Sequence, residues 1–395
     1  MPWLLAATVR SLAGAPPTPP DYYREPVRVS DTLRFRAIVA GHEHTCALTI
    51  DGATYCWGSN RYEQLGPAAA VTGTCGDGPG TFSCSAEPVR VPGAPPFTAL
   101  AASRWSTCGL DSSGAAHCWG YGLGGRDERG FPASSGVPVT VPAEHAFVAL
   151  AAGASSDGTC GLTANGDVWC WTWPAEGARG ASAGVFAGPD PVAAPVKFAA
   201  ISFGGGHGCG IATAGGAYCW GNNVYGALGT GASWHEGGVR QSPAAVLVQG
   251  GVALRHVVAG SGYSCGLDAE GAAYCWGQGY PVDGEFPEFQ RLSAGPLPHG
   301  SLPVPLDARG SRWVALGAAV TRACGLAEDG RAHCFSTVPL GRVDRRPAAV
   351  NADQRFVALA VGGGHVCALG TDALAYCWGD GYAGQVGRAP SGRRW

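Results

Sequence analysis

The sequence predicts an all-β repeat protein, and three observations lead to that prediction. Seven cysteine pairs share a spacing of ten residues, turn-forming residues are abundant, and the segments between the pairs alternate in polarity. Gly occurs 64 times and Pro 29 times in 395 residues, whereas charged residues make up only 14%. Such a composition favours short strands and turns over long helices.

The cysteine pairs define seven repeats. An aromatic residue directly follows each pair, and a glycine comes next in five repeats. A large apolar residue precedes the first cysteine by eleven positions in six repeats. In the third repeat Phe147 stands thirteen positions before it, so we expect a two-residue insertion between Ala154 and Gly158. The pairs are Cys46 with Cys56, Cys108 with Cys118, Cys160 with Cys170, Cys209 with Cys219, Cys265 with Cys275, Cys324 with Cys334, and Cys367 with Cys377.

Each pair is predicted to lie on a β-hairpin. The residue midway between the cysteines is followed by glycine in six repeats, as at Asp51-Gly52, which suits a three-residue loop with glycine in the left-handed region. Such a loop places residues i and i+10 opposite each other, at a Cα separation of about 4.5 to 5.5 Å that a disulfide tolerates. The seventh repeat has Ala373 instead of the glycine, so its turn should be strained or of another type.

The cysteines could be in one of several states. Disulfides fit the hairpins, and Cys75 and Cys84 would then form an eighth bridge from an even total of 16. Reduced cysteines, packed as small apolar residues, would suit a cytosolic protein. Zinc is disfavoured because structural sites use closely spaced pairs such as C-x2-C, and sevenfold repetition argues against a catalytic cysteine. We expect the bridges, each worth about 2 to 3 kcal/mol in the chain-entropy model.

Other chemistry finds little support in the sequence. The net charge of −3 leaves no basic field for nucleic acid, and no apolar run approaches the roughly 18 to 20 residues of a membrane span. Gly120, Gly122 and Gly125 satisfy G-x-G-x-x-G but follow a hairpin and open no helix. We expect no cofactor, metal or catalytic residue, and we expect the recurring histidines, such as His44, to be packed.

The repeat resembles a known family. Its pattern, PVxV, FxALxxG, HxCxL, DGxxYCWG and NxYGxLG, is similar to the regulator of chromosome condensation repeat, in a bacterial-type form with a cysteine pair inside each hairpin. The match covers roughly 26–387 and is weakest in repeats three and six, where Thr172 and Ser336 replace a glycine. The resemblance implies a seven-bladed β-propeller. Because PVRV at 26–29 lacks a repeat of its own, we expect the N-terminal strand to complete the last blade and close the ring.

The expected organisation is one propeller between two short segments. Residues 1–25 form a leader or disordered segment that lacks the basic start of a signal peptide, 26–387 form the propeller, and 388–395 form a short basic tail. The cysteine pairs indicate an extracellular or cell-envelope location, and we expect a monomer. The repeats are anchored at 35–58, 97–120, 147–171, 198–221, 254–277, 313–335 and 356–379.

Function is expected in the variable segments after each CWG, because connections vary while the repeat framework packs. Aromatic residues outside the repeat pattern would anchor a protein partner there, or would simply cover the blade ends. The candidate partner-binding residues are Tyr121, Phe131, Trp173, Trp234, Tyr280 and Phe286.

Three functional hypotheses follow. The preferred one is a non-enzymatic, exported scaffold that binds a protein partner on one propeller face, as the resemblance implies. The alternative, also implied by the family, is guanine-nucleotide exchange or other regulation of a small GTPase. The third is an enzyme with its site over the central channel, which would require convergent titratable residues that the sequence does not show.

Overall fold

The computed structural model describes most of the predicted propeller. The described residues are 22–71, 73–76, 80–125, 128, 132–172, 187–234, 237–277, 301–306, 311–320, 322–336, 348–350 and 353–388. Within them the chain forms 29 β-strands in seven antiparallel sheets and one 3-10 turn at Ala68–Ala70. The chain is therefore all-β, as predicted. Nearly all of the predicted leader and of the basic tail lies outside the described residues.

The strands follow one another in chain order. Strands β1 to β10 are Tyr22–Arg28, Phe35–Ala40, His44–Thr49, Thr54–Ser59, Gly73–Cys75, Phe82–Arg90, Phe97–Ala102, Ser106–Asp111, Ala116–Gly120 and Ser135–Thr140. Strands β11 to β20 are Phe147–Ala152, Gly158–Thr163, Val168–Thr172, Ala187–Pro191, Phe198–Phe203, His207–Ala212, Ala217–Asn222, Gln241–Leu247, Leu254–Ala259 and Tyr263–Asp268. Strands β21 to β29 are Ala273–Gly277, Val304–Pro305, Trp313–Ala318, Arg322–Ala327, Ala332–Ser336, Ala348–Ala349, Phe356–Val361, His365–Gly370 and Ala375–Asp380.

The seven sheets form the blades of a closed ring. Blades two to six each take four consecutive strands, beginning at β7, β11, β15, β19 and β23. Blade one has five strands, in the order β2-β3-β4-β6-β5. The first strand of every blade contacts the first strand of both neighbouring blades, from β2 around to β27 and back to β2. These first strands are therefore the inner strands of a seven-bladed propeller.

The N-terminal strand closes the ring. β1 pairs antiparallel with β29 in the order β1-β29-β28-β27, so blade seven combines the two ends of the described chain. The backbone N–H of Val29 also donates to the carbonyl of Ala375 at 2.9 Å. β1 begins at Tyr22, four residues before the PVRV stretch that predicted it.

The cysteines form the disulfides that their spacing predicts. In all seven hairpins the two cysteines lie directly opposite each other, at Cα separations of 4.0 to 4.1 Å. The seven hairpin bridges are Cys46–Cys56, Cys108–Cys118, Cys160–Cys170, Cys209–Cys219, Cys265–Cys275, Cys324–Cys334 and Cys367–Cys377.

The Cα separations in these bridges differ from the expected value. They are shorter than 4.5 to 5.5 Å because the cysteines occupy positions without mutual hydrogen bonds, where antiparallel strands approach most closely. The eighth bridge, Cys75–Cys84, also forms as predicted, and it joins β5 to β6 at the outer edge of blade one. The predicted pairing is thus confirmed for all sixteen cysteines, and only the predicted spacing needed correction.

Aromatic side chains pack within each blade and against its neighbour. Phe97 stacks on Trp119 with ring centroids 5.9 Å apart, and both pack in one cluster with Leu48 of blade one. Nε1 of Trp119 donates to the carbonyl of Gln64 in blade one at 2.8 Å. Trp57 likewise donates to a carbonyl of the preceding blade, at 3.0 Å. The aromatic residue after the cysteine pair thus joins neighbouring blades, which explains its recurrence in the sequence.

The recurring histidines are packed, as predicted. His44, His207 and His365 are buried. Each Nε2 forms a hydrogen bond with a hydroxyl group of the next blade at 2.8 Å, on Thr107, Ser264 and Thr45 in turn.

Within the described residues, no helix is long and apolar enough to cross a membrane.

Candidate protein-interaction surface

The two faces of the ring carry different connections. One face, the turn face, holds the hairpin turns at 50–53, 112–115, 164–167, 213–216, 269–272, 328–331 and 371–374. The opposite face, the loop face, holds the short loops between the first two strands of each blade and the segments that follow each CWG. The segments in which function was expected therefore leave the blades on the loop face.

An aromatic cluster lies on the loop face where blades one and two meet. Tyr62, Trp105 and Tyr121 pack against one another with ring centroids 5.0 to 5.4 Å apart. The guanidinium of Arg104 lies over the Trp105 ring, 4.3 Å from its centroid, in a cation–π arrangement. All four side chains are half-buried. We call these four residues the aromatic patch.

Backbone hydrogen bonds hold the patch in place. Tyr62 lies in a turn in which the Asn60 side chain accepts from the N–H of Leu65 at 2.8 Å and donates to the carbonyl of Gly66 at 3.2 Å. The N–H of Tyr121 donates to the carbonyl of Trp105 at 3.1 Å. Three loops from two blades thus present these rings on a rigid support.

The inserted loop of blade three closes the axis on this face. The loop between β11 and β12 has five residues, 153–157, where the loop between β2 and β3 has three, so the predicted insertion is confirmed. Ala154 is buried in one apolar cluster with Ala319 of blade six and Val361 of blade seven. A residue from blade three therefore reaches across the ring, and its carbonyl lies 3.2 Å from Nδ1 of His42 in blade one.

Titratable groups surround this closed centre. Burial lowers the pKa of His42 and raises the pKa of Asp157, although the nearby Arg104 opposes the shift at Asp157. Nε of Arg104, Oδ1 of Asp157 and Oγ of Ser155 are buried and have no protein hydrogen-bond partner in the described part of the chain. The centre thus brings together charged and polar groups whose hydrogen-bonding capacity is only partly used within the described residues.

The structure shows the location of two of the six candidate aromatic residues. Tyr121 lies in the aromatic patch. Trp234 lies on the loop face at blade four, 48% exposed, with the guanidinium of Arg240 5.4 Å from its ring centroid. Phe131, Trp173, Tyr280 and Phe286 lie outside the described residues.

Sequence reasoning missed three of the four patch residues. Tyr62 belongs to the repeat pattern, and Arg104 and Trp105 lie in a short loop rather than in a segment after CWG. The same short loop holds Gly-Gly in blade four and Ser-Gly in blade five, but His42-Glu43 in blade one, so large side chains there do not by themselves identify the patch. No group of three or more potential metal ligands occurs among the described residues.

The repeat and the fold have known relatives. The profile of the regulator of chromosome condensation (RCC1) repeat matches residues 35–64 and 198–227, which belong to blades one and four. The chain therefore contains repeats of this type, arranged as the seven-bladed propeller that they imply.

A curated relative matches part of the chain. The ultraviolet-B receptor UVR8 of Arabidopsis thaliana is 27% identical over 148 residues, which are 37% of this chain and 31% of the receptor. The matched part thus spans about a third of that relative's length. A match to this part of the receptor does not assign the receptor's activity to this chain.

Solved structures share the fold. Prp20p of Saccharomyces cerevisiae is 20% identical with a TM-score of 0.62, over 87% of this chain and 82% of that one. Human WBSCR16 is 16% identical with a TM-score of 0.65, over 90% and 89%. The ectodomain of the receptor kinase CR4 of Physcomitrella patens is 20% identical with a TM-score of 0.52, over 88% and 74%. At these identities the likeness concerns the fold alone.

Proposed function

We propose that this protein is a non-enzymatic scaffold that binds a protein partner through the aromatic patch on its loop face. The observation that supports it is the arrangement of Tyr62, Trp105 and Tyr121 around one another with Arg104 over Trp105. Tyr, Trp and Arg are the residues that contribute most binding free energy in protein interfaces, especially where a rigid backbone presents them.

Relatives of the same fold include protein-binding proteins. The crystal structure of Prp20p is described together with its binding properties to Gsp1p and histones. Since a protein that shares this fold binds other proteins, a protein partner is a consistent proposal for this chain. Binding of a GTPase is the alternative, and stimulated release of guanine nucleotide from a GTPase of the same organism would support it.

The scaffold is proposed to act in an oxidising compartment, outside the cell or in the cell envelope. Eight disulfides use all sixteen cysteines, and disulfides persist mainly in such compartments. A free-thiol count on native protein, denatured without reductant, should be close to zero. A count near sixteen would contradict the proposed compartment.

The binding proposal is tested by comparing variants of the two faces. The immobilised full chain captures partners from the extracellular milieu, and each captured protein is purified for affinity measurement. Trp105→Ala should weaken binding by about 30-fold or more, as expected for a hot-spot residue. Val314→Ala on the turn face, where Val314 is 47% exposed, is the matched surface control and should leave Kd unchanged. Equal affinities for wild type and Trp105→Ala, or loss only in Trp234→Ala, would show that the patch is the wrong surface.

A further inference from the structure

A cleft of about 510 Å³ opens on the loop face where blades one and two meet. Its lining includes Arg61 and Glu63, which flank Tyr62 of the aromatic patch in the chain, together with Phe82 and Ser134. A partner that covers the patch would therefore extend into this cleft.

The backbone of Glu63 adopts a conformation that suits glycine. Its φ is +62°, whereas the equivalent residues of blades four and seven are Gly226 and Gly384, with φ of +79° and +80°. The turns are the same, because the N–H of Glu63 donates to the carbonyl of Asn60 at 3.1 Å, as Gly226 does to Asn223. Since left-handed backbone is costly for a residue with a Cβ, glutamate opposes the stability of its own turn.

Space explains why a side chain fits in this blade. A Cβ on Gly226 would lie 2.5 Å from Oγ of Ser301, and one on Gly384 would lie 3.0 Å from Cα of Ala86. In blades four and seven, atoms of the next blade therefore occupy the space that a side chain would need. In blade one the same position opens on the cleft, so the Glu63 side chain lines a space that a ligand can enter.

The two charged side chains of the cleft, Arg61 and Glu63, differ in the contacts that they make. The guanidinium of Arg61 lies over the ring of Phe82, 4.5 Å from its centroid. In the part of the chain that the structure describes, the carboxylate of Glu63 makes no ion pair, and its one hydrogen bond is a 3.4 Å contact from the N–H of Ala68. The cleft therefore offers an anionic group that can still pair with a cation.

The wall of the cleft that contains Phe82 is reinforced. Phe82 begins β6, which has nine residues, and pairs with Cys75 of β5. The Cys75–Cys84 disulfide ties these two strands together. This additional strand and bridge occur in blade one, so the blade with the strained glutamate also has the extra support for the cleft. Strained backbone that surrounding structure maintains is a mark of functional positions.

We propose that the cleft receives a lysine or arginine side chain from an extended segment of the partner protein and pairs it with the carboxylate of Glu63. The proposal rests on the proposed function, because the segment reaches the cleft from a partner seated on the aromatic patch. Beyond that function, it proposes that the recognised residue of the partner is basic and that Glu63 selects it.

Peptide arrays test this selection. Ten-residue peptides with one central Lys or Arg in varied flanks, and a matched set with norleucine at that place, are probed with the labelled full chain. The wild type should prefer the basic set by about tenfold or more, the range of close interfacial charge pairs. Glu63→Gln keeps the side chain but removes the charge, and should reduce the preference to about twofold or less.

Glu63→Gly separates binding from folding. It should lose the preference for basic peptides and yet melt at a temperature no lower than that of the wild type, because glycine relieves the left-handed strain. A purely structural glutamate would give the opposite result, a lower melting temperature. Glu270→Gln, which changes an exposed glutamate on the turn face, is the matched charge control and should keep the preference.

The outcomes distinguish this inference from the proposed function. If Trp105→Ala lowers binding to both peptide sets while Glu63→Gln keeps the preference, the cleft assignment is wrong and the patch stands. If Trp105→Ala changes neither set while Glu63→Gln abolishes the preference, the cleft stands and the patch is wrong. A wild-type chain that binds both sets equally, or binds neither, overturns the cleft assignment.

Discussion

Buried histidines connect neighbouring blades at three places. His44, His207 and His365 each bond a hydroxyl group of the next blade. Burial lowers the pKa of His44 and His365 to about 3 and that of His207 to about 4. The folded protein therefore holds these imidazoles neutral, whereas the unfolded chain protonates them near pH 6.5.

This difference predicts acid sensitivity. Because the folded pKa lies below the unfolded value, the unfolded chain binds more protons between them, and stability falls as the pH drops below about 6.5. Each histidine adds up to about 1.4 kcal/mol per pH unit to the slope of the unfolding free energy against pH. In urea unfolding between pH 5 and 6, His207→Gln should reduce the slope of unfolding free energy against pH by about that amount. Above pH 7 the two slopes should coincide. An unchanged slope at pH 5 to 6 would show that His207 titrates alike in both states.

At the scale of the hairpin, one turn departs from the pattern of the others. Ala373 occupies the glycine position of the seventh hairpin with φ of +62°. Its N–H donates to the carbonyl of Gly370 at 2.9 Å, as that of Gly52 does to Thr49 at 3.0 Å, so the turn type is unchanged. The prediction of a strained turn is confirmed, and the alternative of another turn type is wrong.

The contact between blades explains why the strain persists. The carbonyl of Ala373 accepts from the N–H of Phe35 at 2.8 Å, and the carbonyl of Gly52 accepts from the N–H of Phe97 at 3.2 Å. A left-handed residue at this position directs its carbonyl at the first inner residue of the next blade. Ala373 thus keeps the conformation because the ring requires that hydrogen bond.

Glycine at this position should stabilise the protein. Ala373→Gly relieves left-handed strain of about 1 to 2 kcal/mol, which the greater freedom of unfolded glycine offsets in part, so we expect a gain of about 0.5 to 1 kcal/mol. Denaturant unfolding measures it. The reciprocal control, Gly52→Ala, should lose about 1 kcal/mol, since a Cβ there lies 3.2 Å from the carbonyl oxygen of Phe97. A loss in Ala373→Gly would mean that the turn tolerates alanine without strain.

Sequence reasoning succeeded where the information is local. The ten-residue cysteine spacing predicted the hairpins and their disulfides, and the distance from Phe147 to Cys160 predicted the insertion, because strand register and loop length depend on neighbours in the chain. The aromatic patch was missed because Tyr62 and Trp105 come from different blades. Their contact depends on how loops converge at a blade boundary, which no local pattern records.

The inserted loop shows the same limit. The two extra residues were counted correctly from the sequence. Their consequence, that Ala154 packs against Ala319 and Val361 on the far side of the ring, follows only from closure of all seven blades. Glu63 is intermediate: its departure from the glycine of the repeat was visible in SNRYEQLG, but the cleft that makes room for it was not.

At the scale of the whole molecule, stability depends on closure of the ring by β1. β1 provides the partner of β29, and Val29 packs in one buried cluster with Phe35 and Trp57 of blade one. Without this strand β29 becomes an exposed edge, and the boundary between blades seven and one loses part of its apolar contact. Exposed edges of this kind invite pairing with other chains.

A deletion through residue 29 should therefore lower the melting temperature and promote association. Because the lost strand pairs antiparallel with β29, a synthetic peptide of residues 22–30 added in trans should bind the truncated protein and restore part of the melting temperature. A scrambled peptide of the same composition is the control and should restore nothing. Calorimetry and size-exclusion chromatography measure the two effects. If the deletion melts like the full chain, or if both peptides rescue it equally, closure by β1 does not stabilise the ring.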